Sequence, residues 1–213
     1  MFYLDLFSAF DRHHVDYVLI GELAVSLHGI ERATRDIEVT VAMTPENLTS
    51  LVAMARELGM TPVLPVDLNT LIDLDRLEEW HRERNLEVFA LRAPGLAGIT
   101  VDVLLYPPVN YAGMRERAVT IKAGEVPIVV VGVDDLIALK QAVGRPIDLS
   151  DIEHLKRLGR GDRTYFVSDE RLRAFRALPV ESKLRWIEEL AMFLRMAQPV
   201  SDHASAVKKE RPG

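Results

Sequence analysis

The chain has 213 residues, of which 48% are apolar and 27% charged, so it can bury a sizeable core in one domain, with or without a helical extension. The net charge of −6 argues against a broad nucleic-acid-binding face, although a local basic patch stays possible. The absence of cysteine excludes disulfides, zinc–thiolate sites and cysteine nucleophiles, and it fits a reducing compartment. The sequence has neither an apolar run of the roughly 20 residues that span a bilayer nor a basic signal-peptide start. We therefore expect a cytoplasmic protein with no membrane partner.

The first part of the chain alternates helical and strand patterns. Apolar residues at helical spacing, and then a short apolar run that ends at Gly21, predict a helix followed by a buried strand. Thr44 and Pro45 indicate a helix start, because a hydroxyl can cap the helix and proline suits its first position. The expected elements are a helix over 2–13, a strand over 16–21, a helix over 22–29, a polar loop over 30–35, a strand over 36–42 and a helix over 44–58.

The rest of the chain predicts strands first and helices afterwards. Residues 60–66 contain two prolines and are typical of a short strand or a loop. The charged segment 67–85 has leucines at helical intervals, but a strand-and-loop alternative stays open for it. The further expected elements are paired strands over 86–92 and 99–107, a brief helix over 110–117, a hairpin over 119–132 that turns at Ala123 and Gly124, and helices over 133–144, 148–159, 168–177 and 180–197.

This order of elements predicts an α+β fold, with a mixed β-sheet flanked by helices and a helical C-terminal part. We expect residues 1–132 to form the α/β core and residues 133–197 to form a helical region packed on it. The polar tail over 198–213 is expected to be disordered.

Three carboxylates stand out because they lie on predicted strands. Asp36 and Glu38 are two residues apart, so their side chains project from the same face of the sheet. Asp102 lies between two valines in a second strand, where acidic residues are depleted. Such strands can be neighbours, and three carboxylates on one face repel each other unless a divalent cation is bound. The alternative reading is that Asp36 and Glu38 belong to a solvated face and that Asp102 marks a strand edge or end.

The segment GELAVSLHGIERATRDIEVTV (21–41) resembles the opening motif of the nucleotidyltransferase superfamily, especially the bacterial branch that includes the AbiEii-type toxins. The matching positions fall in the family's order and spacing: Gly21, Leu23, Ala24, His28, Gly29, Arg32, Thr34, Asp36 and Ile37. VDVLLYP (101–107) is similar to the strand that carries the third carboxylate. DLIALKQAVGRPIDLSDIEHL (135–155) is similar to a helical motif of the form K…R-x-x-D…D. The resemblance covers roughly residues 16–158 and implies a nucleotidyltransferase-type fold.

The resemblance also implies a set of site residues. Asp36, Glu38 and Asp102 would be catalytic and would bind Mg²⁺ or Mn²⁺, and Asp102 would alternatively be the base for the attacking hydroxyl. Lys140 would be catalytic by facing the phosphates or the base, although an isolated lysine in this position is otherwise an ordinary surface residue. The implied substrate-binding residues are Gly21, Glu22, Arg32, Thr34, Arg35 and Asp151.

The implied activity is the magnesium-dependent transfer of a nucleoside monophosphate from an NTP to an RNA, protein or small-molecule acceptor. A role in a toxin–antitoxin or defence pair, with a toxin or antitoxin partner, follows from the same resemblance. Two positions depart from the family pattern: Glu22 replaces a small residue of the phosphate turn, and Glu38 replaces aspartate. Because a carboxylate at position 22 should repel a triphosphate, the alternative function is a catalytically weakened binding or antitoxin-like module.

Overall fold

The computed structural model describes residues 2–30, 34, 36–94, 99–158 and 180–199. The helices in these ranges are α1 (Phe2–Arg12), α2 (Gly21–Leu27), α3 (Pro45–Glu57), α4 (Leu74–Arg84), α5 (Tyr111–Arg117), α6 (Val133–Val143), α7 (Pro146–Leu158) and α8 (Val180–Met196), with a short 3₁₀ helix at Leu68–Ile72. The strands are β1 (Tyr17–Ile20), β2 (Asp36–Val41), β3 (Thr61–Pro62), β4 (Val88–Arg92), β5 (Thr100–Leu104), β6 (Val119–Ala123), β7 (Val126–Val130) and β8 (Ala197–Pro199). None of the described helices combines the length and the hydropathy needed to cross a membrane.

All of these strands belong to one mixed sheet, in the order β3-β4-β5-β2-β1-β7-β6-β8. The pairs β2–β5 and β1–β7 are parallel, and the other neighbours are antiparallel. The predicted α+β fold class, a mixed sheet flanked by helices and followed by C-terminal helices, is therefore confirmed. The predicted pairing of 86–92 with 99–107 and the hairpin over 119–132 are confirmed as β4–β5 and β6–β7.

The two faces of the sheet differ in polarity around β2 and β5. On one face Ile37, Val39 and Val101 are fully buried in the hydrophobic core. On the other face Asp36, Glu38, Thr100 and Asp102 are half-buried or exposed, whereas Thr40 further along β2 is buried. Because side chains alternate along a strand, the apolar half of each strand forms the core and leaves the acidic half at an accessible surface.

Aromatic residues join α1 to α8 and to β1. Phe7 of α1 stacks on Phe193 of α8 with ring centroids 5.7 Å apart, and Tyr3 stacks on Phe193 at 5.2 Å. Phe10 stacks on Tyr17 of β1 at 4.3 Å. Large buried rings contribute strongly to core stability, so these contacts anchor the C-terminal helix to the N-terminal one.

Polar caps explain several helix boundaries. Thr44 Oγ1 accepts a hydrogen bond of 3.3 Å from the Asn47 amide and Pro45 is the first residue of α3, which confirms the predicted start. The segment 67–85, for which two readings were open, is helical, because Asp67 caps the 3₁₀ helix and Asp73 caps α4. Both aspartate side chains accept a backbone N–H that would otherwise lack a partner.

The C-terminal end of the described chain differs from the sequence-based expectation. Residue 197 was expected to be helical and residues 198–199 to belong to a disordered tail, but Ala197–Pro199 form β8. This strand pairs antiparallel with β6, and Gly124 N–H donates to Met196 O at 3.3 Å. The edge of β6 offers unpaired backbone groups, and proline is tolerated on an edge strand. The predicted helix over 168–177 and the tail over 200–213 lie outside the described residues.

Candidate active site

The connection from β1 to α2 is a tight turn at Gly21, which we call the Gly21 turn (Ile20, Gly21 and Glu22). Gly21 was expected to end the strand, but it is the first residue of α2. Its φ of +67° lies in the left-handed region that side chains disfavour. A Cβ at Gly21 would also lie 1.6 Å from Oε2 and 2.5 Å from Cδ of Glu38. Glycine is therefore required both by the backbone conformation and by the space that the Glu38 side chain occupies.

The predicted acidic residues lie on neighbouring strands. In the parallel β2–β5 ladder Glu38 is the register partner of Asp102, and Asp36 is the partner of Thr100. Thr100 Oγ1 donates a hydrogen bond of 3.0 Å to Asp36 Oδ1, so Asp36 is held by a side chain that the sequence analysis did not single out. Within the described part of the chain, the buried Asp102 Oδ1 has no hydrogen-bond partner. We call Glu38 and Asp102 the acidic pair.

The surroundings of the acidic pair disfavour its ionised form. The pKa of Glu38 is raised, mainly by burial and further by the charges of Asp102 and Asp36, while Lys140 and Arg145 oppose the rise. The pKa of Asp102 is also raised, mainly by burial and further by the charge of Asp36, while the neighbouring Thr100 hydroxyl opposes the rise. Two half-buried carboxylates side by side repel each other, so a bound cation would remove an electrostatic cost that the folded chain otherwise carries.

A second charged group, which we call the Lys140 cluster (Lys140, Arg145, Asp148 and Asp151), joins α6 to α7. Lys140 Nζ donates to Asp151 Oδ2 at 2.7 Å and to Asp148 Oδ1 at 3.4 Å. Arg145 Nε donates to Asp148 Oδ2 at 2.8 Å. Although burial alone would raise the pKa of Asp148, its hydrogen bonds from Arg145 and the charge of Lys140 lower that pKa.

Lys140 was predicted either as a site residue or as an ordinary surface lysine, and its burial distinguishes the two. Its side chain is 6% exposed, and the side chains of its partners Asp148 and Asp151 are 1% and 0% exposed, so the surface-lysine alternative is wrong. Lys140 and Arg145 are also close enough to Glu38 to lower its pKa. The charges of Lys140 and Arg145 therefore act on Glu38, while Asp148 and Asp151 balance them within the Lys140 cluster.

The structure describes some of the remaining substrate-binding candidates but not others. Glu22 is buried in the first turn of α2, with 6% of its surface exposed. Thr34 is also buried, and its Oγ1 donates to Asp36 O at 2.9 Å, so it fixes the start of β2. Arg32 and Arg35 lie outside the described residues.

Two residues were missed by the sequence analysis as members of the site. Thr100 lies two residues before Asp102 on the same strand face, so strand periodicity was the signal that could have identified it. Arg145 forms an i,i+3 pair with Asp148, and its R-x-x-D spacing was visible in the sequence. The effect of the Arg145 charge on Glu38 could not be predicted from the sequence, because it depends on where α7 packs.

The fit of a divalent cation can be tested on these side chains. Among the described residues, no group of three or more Asp, Glu or His side chains is arranged to hold a metal ion. Asp36 is engaged by Thr100, whereas the neighbouring acidic pair includes an oxygen without a partner, Asp102 Oδ1. Mg²⁺ usually takes one or two protein carboxylates together with waters and phosphates, so Glu38 and Asp102 fit such an ion. The three-carboxylate metal site of Asp36, Glu38 and Asp102 stays a prediction.

Magnesium is expected to stabilise the chain, and the stabilisation should disappear at acidic pH. The pKa values of Glu38 and Asp102 are higher in the folded than in the unfolded chain. Without metal, the contribution of the pair to the free energy of unfolding therefore falls as the pH rises from the pKa values of the unfolded chain to those of the folded chain. A cation needs the ionised pair, so it should act above that range. At about 100 times its dissociation constant it should add about 2.7 kcal/mol.

Thermal unfolding with MgCl₂, and with KCl at equal ionic strength, at several pH values checks this expectation. An equal effect of the two salts at neutral pH would contradict it.

No family model matches the chain, and no curated protein matches it. Among solved structures, the solution structure of the antibiotic-resistance factor ANT(2'')-Ia is similar to it with a TM-score of 0.45 and 13% sequence identity, over 88% of this chain and 88% of that chain. A likeness at this level assigns neither a family nor an activity to the chain.

Proposed function

We propose that the protein is a magnesium-dependent nucleotidyltransferase that moves a nucleoside monophosphate from an NTP to an acceptor. The observation that carries the proposal is the acidic pair beside the Gly21 turn, in which Asp102 Oδ1 has no hydrogen-bond partner among the described residues. Its support from the sequence is the motif over 21–41, which belongs to the same strand–turn–helix–strand unit. The RNA, protein or small-molecule acceptor, the toxin–antitoxin role and the cytoplasmic location rest on the sequence alone.

Each charged group has a role in this proposal. Glu38 and Asp102 would hold the cation, which when bound would neutralise charge on the transferring phosphoryl group. The raised pKa of Asp102 suits it alternatively as the base that accepts the acceptor's hydroxyl proton. The acceptor oxygen then bonds to the α-phosphorus, and pyrophosphate leaves with the electrons of the broken P–O bond. Lys140, fixed by Asp148 and Asp151, would keep positive charge near the phosphates.

Glu22 favours a second candidate function, a nucleotidyltransferase-like binding module without activity. A buried carboxylate in the first turn of α2 disfavours an anion at the Gly21 turn. Such a module would bind a partner protein instead of turning over NTP. The two functions differ in whether the wild-type chain binds a triphosphate when magnesium is present.

Calorimetry with the four NTPs separates the two functions. We expect the wild-type chain to bind one NTP with Mg²⁺ and not in EDTA, and Glu22→Gly to bind it at least about tenfold tighter, or about 1.4 kcal/mol, because charge repulsion is removed. Glu46→Gly is the matched control, since Glu46 is an exposed glutamate in the first turn of α3. Binding by Glu22→Gly alone would favour the binding module, and binding by neither chain would contradict the enzyme proposal.

A further inference from the structure

A cavity of about 540 Å³ lies at the end of β1 that is remote from the acidic pair. In the β1–β2 ladder Ile20 pairs with Glu38, whereas Tyr17, which lines the cavity, pairs with Val41 at the other end of the strand. Three residues of a strand span roughly 10 Å, so the cavity is separate from the Gly21 turn. Its volume falls within the range of cavities that bind small organic molecules.

The cavity opens where β1 and β7 separate. Their parallel ladder contains one register pair, Leu19 with Val130. Next to this pair the Val129 N–H donates a hydrogen bond of 3.4 Å to a side chain, the hydroxyl of Tyr17. Tyr17 is 4% exposed and its ring stacks on Phe10, which lines the cavity as well. The wall at Tyr17 is therefore part of the packed sheet and core.

The buried Tyr17 hydroxyl can still donate its own proton. A tyrosine hydroxyl both donates and accepts, and the hydrogen bond from Val129 uses only its accepting side. Burial raises the pKa of Tyr17 and the charge of Asp11 adds to the rise, while Val129 and Arg115 oppose it, so the hydroxyl stays protonated at neutral pH. Among the described residues the structure gives this proton no acceptor. An oxygen of a molecule in the cavity can accept it.

The charged residues that line the cavity favour a cation. Asp16 and Arg115 neutralise each other, since Arg115 Nε donates to Asp16 Oδ1 at 2.7 Å. Asp11 is exposed and forms no ion pair with any residue that the structure describes. His14 also lines the cavity, and histidine is largely neutral at about pH 7.5. At that pH the lining carries one uncompensated carboxylate, that of Asp11.

We propose that this cavity binds a small aromatic amine that also carries an oxygen acceptor. The ammonium group would pair with Asp11, the oxygen would accept a hydrogen bond from Tyr17, and the ring would bury the apolar part of the lining. This apolar part consists of Phe10, Val15, Pro127 and Val129. Neither the acidic pair nor the Lys140 cluster takes part, so the inference goes beyond nucleotidyl transfer and does not depend on it.

An NMR titration of the isotope-labelled chain with tyramine at about pH 7.5 tests the site. Tyramine carries the ring, the amine and the oxygen, phenethylamine lacks the oxygen, and para-hydroxyphenylacetate has a carboxylate in place of the amine. We expect tyramine to shift the amide signals of Val129 and Thr120, which line the cavity, in a saturable way. Because of its extra hydrogen bond, it should bind at least about threefold more tightly than phenethylamine.

Two substitutions assign the two polar contacts. Asp11→Asn is expected to weaken tyramine binding about threefold, because it removes an exposed ion pair. Tyr17→Phe is expected to abolish the preference for tyramine over phenethylamine. Phenylalanine keeps the ring that stacks on Phe10, and Asp11 is exposed, so both variants should fold. Asp75→Asn is the control, because this exposed aspartate of α4 does not line the cavity.

Each other outcome overturns the site. Shifts of Val129 and Thr120 that do not saturate would overturn it, as would Asp11→Asn binding tyramine like the wild-type chain or Tyr17→Phe keeping the preference. Tighter binding of para-hydroxyphenylacetate than of tyramine would assign the cavity to an anion and overturn the amine. Asp102→Asn should bind tyramine like the wild-type chain, so failure of the proposed function and failure of this site are told apart.

Discussion

Replacing Asp102 by asparagine is expected to lower metal-dependent nucleotidyl transfer at least about 1000-fold, since the loss of a charged metal ligand or base removes several kcal/mol of transition-state stabilisation. The same substitution is expected to raise the midpoint of thermal unfolding slightly. Burial and Asp36 raise the pKa of Asp102, so its ionised form carries a cost at neutral pH that the neutral amide avoids. Asparagine keeps the size of the side chain and leaves the β5 backbone pairing unchanged.

The opposite signs of these two effects are what make Asp102→Asn informative. A purely structural aspartate would give lower stability and, through it, lower activity. Asp75→Asn is the control, because Asp75 is an exposed aspartate in the first turn of α4. Transfer of labelled nucleotide from NTP to the acceptor and thermal unfolding in EDTA measure the two effects. Full activity of Asp102→Asn, with Mg²⁺ present, would remove Asp102 from the site.

The sequence could predict the acidic face because strand geometry is local. Residues two apart on a strand share a face, which brings Asp36 and Glu38 together whatever surrounds them. The strand that carries Asp102 was also visible from its flanking valines. That this strand pairs with β2, and in a register that places Glu38 opposite Asp102, needed the resemblance or the structure, since strand order depends on contacts far apart in the chain.

The contacts that tune the site could not be predicted, because they are tertiary. Glu38 lies over Gly21 only because β1 and β2 are antiparallel neighbours that pair Ile20 with Glu38. Lys140 is buried only because α7 packs on α6 and brings Asp151 to it. The strand Ala197–Pro199 was missed for a similar reason: three residues carry no strand periodicity, and the edge of β6 supplies the pairing.

The Lys140 cluster has a stability role that must be measured before a catalytic role can be assigned. Lys140→Ala is expected to lower the free energy of unfolding by about 3–5 kcal/mol, because it leaves the buried Asp148 and Asp151 without their shared cation. Arg145 still compensates Asp148, so the lost 2.7 Å hydrogen bond from Lys140 to Asp151 should account for most of the destabilisation. Chemical denaturation at neutral pH gives the value directly. Lys122→Ala is the control, since Lys122 is half-exposed and pairs only weakly with Glu125.

Adding Asp151→Asn to Lys140→Ala separates structure from catalysis. The second substitution replaces a buried carboxylate that lost its cation in the first, so the double variant should be more stable than Lys140→Ala alone. If Lys140 acts only through folding, the recovered stability should restore NTP binding and transfer in the double variant. If Lys140 faces the phosphates, NTP binding should stay weak although the chain is folded. The three side chains are only 0–6% exposed, so we expect more than an exposed ion pair contributes. A loss below about 1 kcal/mol in Lys140→Ala would contradict this expectation.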